Sequence, residues 1–252
     1  MTDWKGREED DISMSDGDAA LCALADMPGS ETGSETGKHL RRTQDYVKVL
    51  ARRLRDHPRF EAQLSDAAIS LLVKSAPLHD VGKGAIPAAI LCKPGKLTAE
   101  EWGVMKRHAE YGRDAVTRFE HAVDESIGFL RCVLEIVYSH HEKWDGTGYP
   151  QGLAGDAIPL SARIMAVADV YDALISKRVY KPAFPHGQVM RMMVDGRGTH
   201  FDPDIADALL DVAEDFLNIG TGNSAAREGA PCAFQSPESF SPVCLTEQRR
   251  RP

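Results

Sequence analysis

Two pairs of adjacent residues in this chain could carry metal chemistry. His79-Asp80 lies in the segment HDVGK, and His140-His141 opens the segment HHEKWDGTGYP. Imidazole and carboxylate groups are common ligands of divalent metal ions in proteins. The glycines that follow His141 would let a large substrate approach the backbone closely. Either segment alone could be an ordinary surface loop, but together they predict a metal site that acts on a bulky substrate.

The spacing of the candidate ligands decides which of them could share an ion. Glu35 and His39 are four residues apart, so on one helix they would share a face and could chelate one ion. Consecutive residues of a helix point about 100° apart, so neither adjacent pair can readily chelate a single ion in that way. Asp80 fits better as a carboxylate that bridges two ions, with His79 holding one of them.

The complete set of candidate ligands contains five histidines and three carboxylates: Glu35, His39, His79, Asp80, His108, His140, His141 and Asp169. This set is too large for one tetrahedral zinc ion, and no cysteine is placed among its members. Mixed imidazole and carboxylate ligation suits octahedral Fe or Mn. Two or three such divalent ions would turn a bridging water into hydroxide near neutral pH and hold both oxygens of an in-line phosphoryl displacement.

Some of these residues also have purely structural interpretations. Glu35 with His39, taken alone, is more often a solvated helical pair than a pair of ligands. Asp169 and Asp172 lie on an apolar helix, where unpaired carboxylates would be costly, and this favours a metal or ion-pair role. Trp144 could pack its own loop or stack against a base, and the sequence leaves both interpretations open.

Bulk composition narrows the classes of partner and compartment. The chain has 252 residues and a formal net charge of -8, which argues against binding to DNA or RNA polymers because phosphate-tracking surfaces are usually basic. Its five cysteines are widely spaced and form no CxxC, which indicates free thiols and predicts a cytoplasmic protein. No secretory signal is recognisable, and no apolar run approaches the roughly 18 residues that membrane insertion needs.

Hydrophobic periodicity predicts an all-α fold. Val47, Leu50, Ala51 and Leu54 recur with helical spacing, and Thr98 with Glu101 has the spacing of a capping box. Further helices are predicted over residues 127–140, 160–175, 185–194 and 203–217. Alternating strand patterns are scarce. Composition divides the chain into an acidic, partly disordered N-terminal arm (1–30), a helical domain (31–218) and a disordered C-terminal tail rich in Gly, Ser and Pro (219–252).

The order of the motifs resembles that of a known family. ETGKHLRR, HDVGK, KPGKLTAEEW, MKRH, HHEKWDGTGYP, ARIMAVADVYDAL and GTHFDP follow one another like the signatures of the HD-GYP family, a branch of the HD-domain metal-dependent phosphohydrolases. The resemblance extends from about residue 31 to residue 217. It implies a helical bundle that holds a multinuclear Fe or Mn site. It also implies a bacterial signalling enzyme that hydrolyses cyclic di-GMP to linear pGpG and, in many members, on to GMP.

The resemblance also implies roles for individual residues. The eight candidate ligands match the family's metal positions, and Glu35 matches the acidic position of members with a third metal. Asp80 and Lys83 match catalytic positions, because the lysine contacts the scissile phosphate. The expected substrate-binding residues are Gly148, Tyr149, Arg178 and Lys181.

Two alternative functions remain open at this point. One is a phosphodiesterase for another cyclic dinucleotide, such as the hybrid cyclic GMP–AMP. The other is a non-catalytic cyclic-dinucleotide sensor or interaction module that docks a protein such as a diguanylate cyclase. A regulatory partner of that kind and a homodimer are also compatible with the catalytic interpretation. The complete ligand set favours catalysis, because a pure docking surface needs no buried histidines.

Overall fold

A computed structural model describes residues 34–122, 128–176 and 183–222, with side chains from Gly37 onward and, in the first range, up to Phe119. Within these ranges the chain is helical and contains no β-strand, which confirms the all-α prediction. The helices are α1 (Ser34–Arg55), α2 (Asp66–Ser75), α3 (Ala88–Leu91), α4 (Ala99–Lys106), α5 (His108–Ala122), α6 (Gly128–Ser139), α7 (Leu160–Ile175), α8 (His186–Asp195), α9 (Pro203–Asp211) and α10 (Ala213–Thr221). Short 3-10 helices cover Ala76–Leu78, Val81–Ala85 and Gly155–Ala157.

The main core lies between α1, α7 and the C-terminal helices. The predicted apolar face of α1 is fully buried, as Val47, Leu50 and Leu54 show. Tyr46 of α1 stacks on Phe216 of α10 with ring centroids 4.6 Å apart. Burial of these large side chains supplies the main driving force that holds the helices together. Eleven of the 16 residues of α7 are buried, so this helix lies at the centre of the bundle.

A second, smaller apolar cluster supports the segment around His79. It is formed by Val116 of α5, by Leu78, and by residues of α6 such as Val133 and Val137. Gly82 follows in the 3-10 helix Val81–Ala85, and a Cβ atom there would collide with the backbone of α5 at His108 and Gly112. A glycine is needed because only its backbone can approach α5 this closely. The cluster thus brings HDVGK against the start of α5.

The helical part of the chain ends later than predicted. α10 continues to Thr221, and Gly222 follows in the left-handed conformation that commonly ends a helix. Ile219 is buried in the main core, so the predicted start of a disordered tail at residue 219 is wrong. Residues 219–222, Ile-Gly-Thr-Gly, have a composition typical of a loop. The buried Ile219 side chain nevertheless packs the last turn of α10 against the core. The rest of the predicted tail and the predicted N-terminal arm lie outside the described residues.

The single helix predicted over residues 203–217 is in fact two helices. The backbone of Val212, with φ -113° and ψ 18°, separates α9 from α10. This break redirects α10 so that Phe216 packs in the main core. Among the helices that the structure describes, none has the length and hydrophobicity to span a lipid bilayer.

Candidate metal centre

Seven of the eight predicted ligands come together, although they lie far apart in sequence. Their candidate ligand atoms form two groups, and within each group these atoms lie within 4.8 Å of one another. The first group contains Asp80, His108, His140 and His141, and the second contains His39, His79 and Asp169. The side chain of Glu35, the eighth predicted ligand, lies outside the described part of the chain.

The Asp80 carboxylate lies between the two groups. Its Oδ2 atom is 3.2 Å from His79 Nε2, which belongs to the second group. Its Oδ1 atom is 3.3 Å from His108 Nε2 and 3.9 Å from His140 Nε2, both in the first group. Asp169 Oδ1 completes the second group at 3.9 Å from His79 Nε2. A carboxylate that bridges two ions needs a position of this kind.

The structure removes the premise of the prediction that His140 and His141 cannot readily chelate one ion. That prediction assumed that both residues are helical, whereas α6 ends at Ser139. In the turn that follows, the two imidazole rings lie 3.9 Å apart between centroids at an angle of 42°. Both histidines can therefore contribute to the first group. His79 and Asp80, by contrast, lie between two 3-10 helices and divide between the groups as expected.

Three ligand histidines are held by the backbone in one common way. The Nδ1 atoms of His79, His108 and His140 each lie 2.8–2.9 Å from a carbonyl oxygen three or four residues earlier. A carbonyl can only accept, so each Nδ1 must carry a proton, and in the neutral ring each Nε2 keeps its lone pair. Such an outer hydrogen bond is typical of metal-binding histidines.

Buried atoms without partners show that the site fits metal ions. His79 Nε2, His140 Nε2 and Asp80 Oδ1 are buried and have no hydrogen-bond partner among the described residues. Buried polar atoms are normally paired, because leaving one unpaired costs about 1–3 kcal/mol. All three atoms are acceptors that converge on the ligand cluster. A bound cation would satisfy all three of them.

His39 is oriented by an ion-pair network that the sequence did not predict in full. Its Nδ1 atom donates to Asp172 Oδ2 at 2.7 Å, and Asp172 is almost completely buried. Arg42, one turn further along α1, donates to both Asp172 oxygens at 2.6 and 3.0 Å and to Ser176 at 2.9 Å. Burial opposes ionisation of Asp172, but His39 and Arg42 outweigh it and lower the pKa of this carboxyl. The predicted pairing of Asp172 is therefore confirmed, with Arg42 as the unexpected partner.

Burial keeps three of the ligand histidines neutral. Desolvation lowers the pKa of His140 to about 3, and it also lowers the pKa of His141 and of His108. Neighbouring imidazoles lower these pKa values further, because each would repel a second positive ring. Neutral imidazole is the form that binds a metal ion.

Asp80 stays ionised for a different reason. Burial raises its pKa, but the charges of Lys83 and His79 outweigh this and hold the pKa well below the usual range. Lys83 Nζ lies 2.5 Å from Asp80 Oδ2, because the two residues are three apart across a 3-10 turn. Burial would lower the pKa of His79, but the Asp80 carboxylate raises it. The site thus places a lysine charge directly beside its central carboxylate.

Residues 142–154, which contain Gly148-Tyr149-Pro150 and which we call the GYP loop, pack against this cluster. The Tyr149 ring stacks on His141 with centroids 4.7 Å apart and planes at 28°. Burial and the nearby Asp80 and Asp169 carboxylates raise the pKa of the Tyr149 hydroxyl, which therefore stays protonated. At Gly148 a Cβ atom would collide with the backbone of residues 142 and 143. Close packing against this backbone thus explains why a glycine is needed at position 148. The predicted contact of Gly148 with the substrate stays a prediction.

A buried glutamate holds the GYP loop in place. The Glu142 carboxylate, 2% exposed, accepts hydrogen bonds from the backbone N–H groups of Gln151 at 2.7 Å and Leu153 at 3.1 Å. The sequence alone assigns no role to Glu142. Glu142 is buried because the loop folds back over it. Its position next to the histidine pair was the only signal in the sequence that could have indicated a role.

Trp144 packs its own loop. The guanidinium groups of Arg59 and Arg163 lie 5.1 and 5.7 Å from the centroid of its ring. Both arginines also donate to the buried Asp202, at 2.9 and 2.6 Å. The backbone N–H of Trp144 donates to the carbonyl oxygen of His200 at 3.1 Å. These contacts favour the packing interpretation of Trp144. The predicted phosphate-binding residues, Arg178 and Lys181, lie outside the described residues.

Comparison with known proteins gives a consistent result. Residues 30–205 match the protein family described as HD domain. The chain is 53% identical over 202 residues to a cyclic di-GMP phosphodiesterase of Vibrio cholerae, which covers 80% of this chain and 41% of that protein. It is 40% identical over 185 residues to the 3'3'-cGAMP-specific phosphodiesterase 2 of Vibrio cholerae, covering 73% of this chain and 33% of that protein. The chain therefore spans less than half the length of these two curated relatives.

A solved structure supports the fold. An HDG"Y"P protein from Bdellovibrio bacteriovorus superposes with a TM-score of 0.51 at 18% identity, over 77% of this chain and 58% of that one. At this identity the likeness concerns the arrangement of the helices.

Proposed function

Because the chain belongs to the HD domain family, and carries the HD and GYP signatures intact, we propose that it is a metal-dependent phosphodiesterase that hydrolyses cyclic di-GMP to linear pGpG. The observation that carries this proposal is the Asp80 carboxylate between two groups of ligand atoms, whose buried acceptors lack partners. The similarity to a cyclic di-GMP phosphodiesterase supports the choice of substrate. The linear product still contains one phosphodiester bond, so further cleavage to GMP is compatible with the same chemistry.

The residues that would hold the ions are those of the two ligand groups, with Glu35 as the added ligand of a third ion. Imidazole with carboxylate, and no thiolate, suits Fe or Mn. When bound, a pair of such ions supplies Lewis-acid activation of water and of the phosphodiester. Asp80, kept ionised beside Lys83, would position the ions relative to each other.

The chain's own cations would handle the substrate charge. Lys83 lies beside Asp80, where negative charge grows on the phosphoryl oxygens as the ester is attacked, and we assign it to stabilising that charge. Arg178 and Lys181 follow shortly after α7 in sequence, and we assign them to the dinucleotide's phosphates. Tyr149, held against His141, would line the substrate side of the loop.

One specific observation favours a second candidate substrate. The chain is 40% identical to a protein named as a 3'3'-cGAMP-specific phosphodiesterase, so the hybrid cyclic dinucleotide is the alternative. The non-catalytic sensor is less well supported, because a docking surface does not need neutral, backbone-anchored imidazoles. A cytoplasmic location, a regulatory protein partner and a homodimer remain predictions from the sequence.

The test combines metal analysis with turnover. The protein is purified without oxygen from cells supplied with Fe or Mn, and we expect about two to three ions per chain. It is then incubated in parallel with cyclic di-GMP and with 3'3'-cGAMP, and the linear products are separated by chromatography. Faster cleavage of cyclic di-GMP supports the main proposal, and faster cleavage of the hybrid supports the alternative. A single zinc ion, or no cleavage of either dinucleotide by fully loaded protein, would overturn the proposal.

A further inference from the structure

An exposed stretch of chain borders the metal centre. Ile86 and His108 are buried, but none of the residues from 87 to 107 between them is buried. We call residues 87–107 the rim segment; it includes α3 and α4. Upstream it follows closely on Asp80 and Lys83, and downstream it leads directly into His108. Both of its ends therefore lie at the ligand cluster, although the segment contributes no buried residue to the core.

Polar contacts within the rim segment give it a defined shape. Thr98 and Glu101 form the predicted capping box at the start of α4. The Glu101 carboxylate also accepts from Lys93 Nζ at 2.6 and 2.8 Å. A capping box satisfies two backbone N–H groups that would otherwise lack partners at a helix start. These contacts give the rim segment its shape without burying α4.

Trp102 is the feature of the rim segment that its packing does not explain. Its side chain is 48% exposed, the most exposed of the large apolar side chains in the described ranges. Its ring lies 6.4 Å from the Tyr149 ring at 83°, so the two rings meet edge to face. Tyr149 in turn stacks on His141, a member of the first ligand group. The rings of His141, Tyr149 and Trp102 thus form a row from the ligand cluster to the exposed surface.

A cation accompanies these rings. Lys106, one turn after Trp102 on α4, places its Nζ atom 5.7 Å from the centroid of the Tyr149 ring. An exposed π face with a nearby positive charge is the combination that binds a nucleobase and its phosphate. No stacked aromatic partner covers Trp102 in the part of the chain that the structure describes.

We propose that Trp102 is a substrate-binding residue that stacks on one base of the cyclic dinucleotide. This inference rests on the proposed function, because it concerns the same substrate. Stacking would exist in the ground state and the transition state alike, so its loss should raise KM much more than it lowers kcat. The size of base–aromatic stacking predicts a rise in KM of roughly five- to a hundredfold.

The kinetic experiment uses the metal-loaded full chain and two substrates. KM and kcat are measured for Trp102→Ala, Trp102→Phe and the wild type on cyclic di-GMP, and on methyl p-nitrophenyl phosphate, which carries no nucleobase. The matched control is Leu210→Ala, an apolar side chain of similar exposure (43%) on α9. We expect a raised KM for cyclic di-GMP in Trp102→Ala, a near-normal KM in Trp102→Phe, and a far smaller change with the small diester. An unchanged KM, or equal losses on both substrates, would overturn the inference.

A binding experiment reads the same contact without turnover. Tryptophan fluorescence is followed while a slowly hydrolysed phosphorothioate analogue of cyclic di-GMP is added to the metal-loaded protein. The chain has three tryptophans, and stacking predicts that most of the quenching disappears in Trp102→Phe. Equal quenching in the variant and the wild type contradicts the inference. If the wild type binds the analogue but cleaves no cyclic dinucleotide, the proposed function fails while the stacking result still stands.

Discussion

The floor of the site and its rim are built in opposite ways. We call His79, Asp80, His108 and His140 the floor: the three histidines are buried, and each is tied to a backbone carbonyl. The rim segment has no buried residue and is shaped by polar contacts of its own. Under the proposed function, the chemistry would fall to groups whose positions are fixed by the core, and recognition of the substrate to groups that remain accessible.

The largest effect is expected from the central floor carboxylate. Asp80→Ala removes the group that lies between both ligand groups, so turnover of cyclic di-GMP should fall by about a thousandfold or more, given the several kcal/mol that metal catalysis supplies. The circular dichroism spectrum should stay helical, because the cores lie elsewhere. Asp211→Ala, an exposed carboxylate on α9, is the control. Near-normal activity of Asp80→Ala would show that HDVGK is not part of the metal centre.

Lys83, beside the floor carboxylate, and Lys106, on the rim segment, should have different kinetic signatures. Lys83→Ala should lower kcat about ten- to a hundredfold at equal metal loading, because a charge-assisted contact is worth about 1.5–3 kcal/mol. Lys106→Ala should mainly raise KM, since its charge lies beside Tyr149 at the rim. Arg178→Ala and Lys181→Ala should also raise KM. Should Lys83→Ala leave kcat untouched, the division of roles between floor and rim fails.

The link between the floor and the GYP loop can be broken at Glu142. Glu142→Ala removes the acceptor of two backbone N–H groups, so the free energy of unfolding should fall by about 1.5–3 kcal/mol. KM should rise as well, because Tyr149 loses its support. Glu142→Gln keeps one carbonyl oxygen and should lose less. Urea unfolding measures the change in stability, and steady-state kinetics measures the change in KM. Unchanged stability of Glu142→Ala would show that the loop keeps its conformation without this carboxylate.

The smallest effect concerns acid stability away from the floor. Burial, with the charge of Lys143, lowers the pKa of His200 to about 4, compared with about 6.5 in an unfolded chain. Above pH 6.5 both states are neutral; between pH 6.5 and 4 the unfolded state takes up a proton that the folded state refuses, so stability falls as the pH falls. His200→Gln should reduce this slope by less than one proton. Identical slopes in urea titrations of the variant and the wild type would exclude the assignment.

Much of the fold could be predicted because the pattern is local. The helix over residues 160–175 has the predicted bounds, and the Thr98 capping box forms as its spacing indicates. The candidate ligands could also be predicted from the sequence, since their residue types and their order along the chain are distinctive. The grouping of His140 with His141 could not be predicted, because it depends on α6 ending at Ser139 before the histidine pair.

The supporting residues escaped prediction for a related reason. Arg42 contacts Asp172 across 130 positions of sequence, and no local spacing signals that pairing. Glu142 is buried only because its loop folds back over it. Trp102 was noted within a motif, yet its distance to Tyr149 depends on how the rim segment returns to the site. Roles that arise from long-range contacts need the folded chain.

The backbone anchoring of the floor also bears on how ions enter and leave. The carbonyl oxygens of Ala76 and Ile136 accept both the backbone N–H and the ring N–H of the histidine that follows one turn later. These rings are thus immobilised when the chain folds, and an arriving ion need not supply the entropy of ordering them. Chelation should therefore strip the protein without unfolding it, and added manganese should restore activity without a refolding delay.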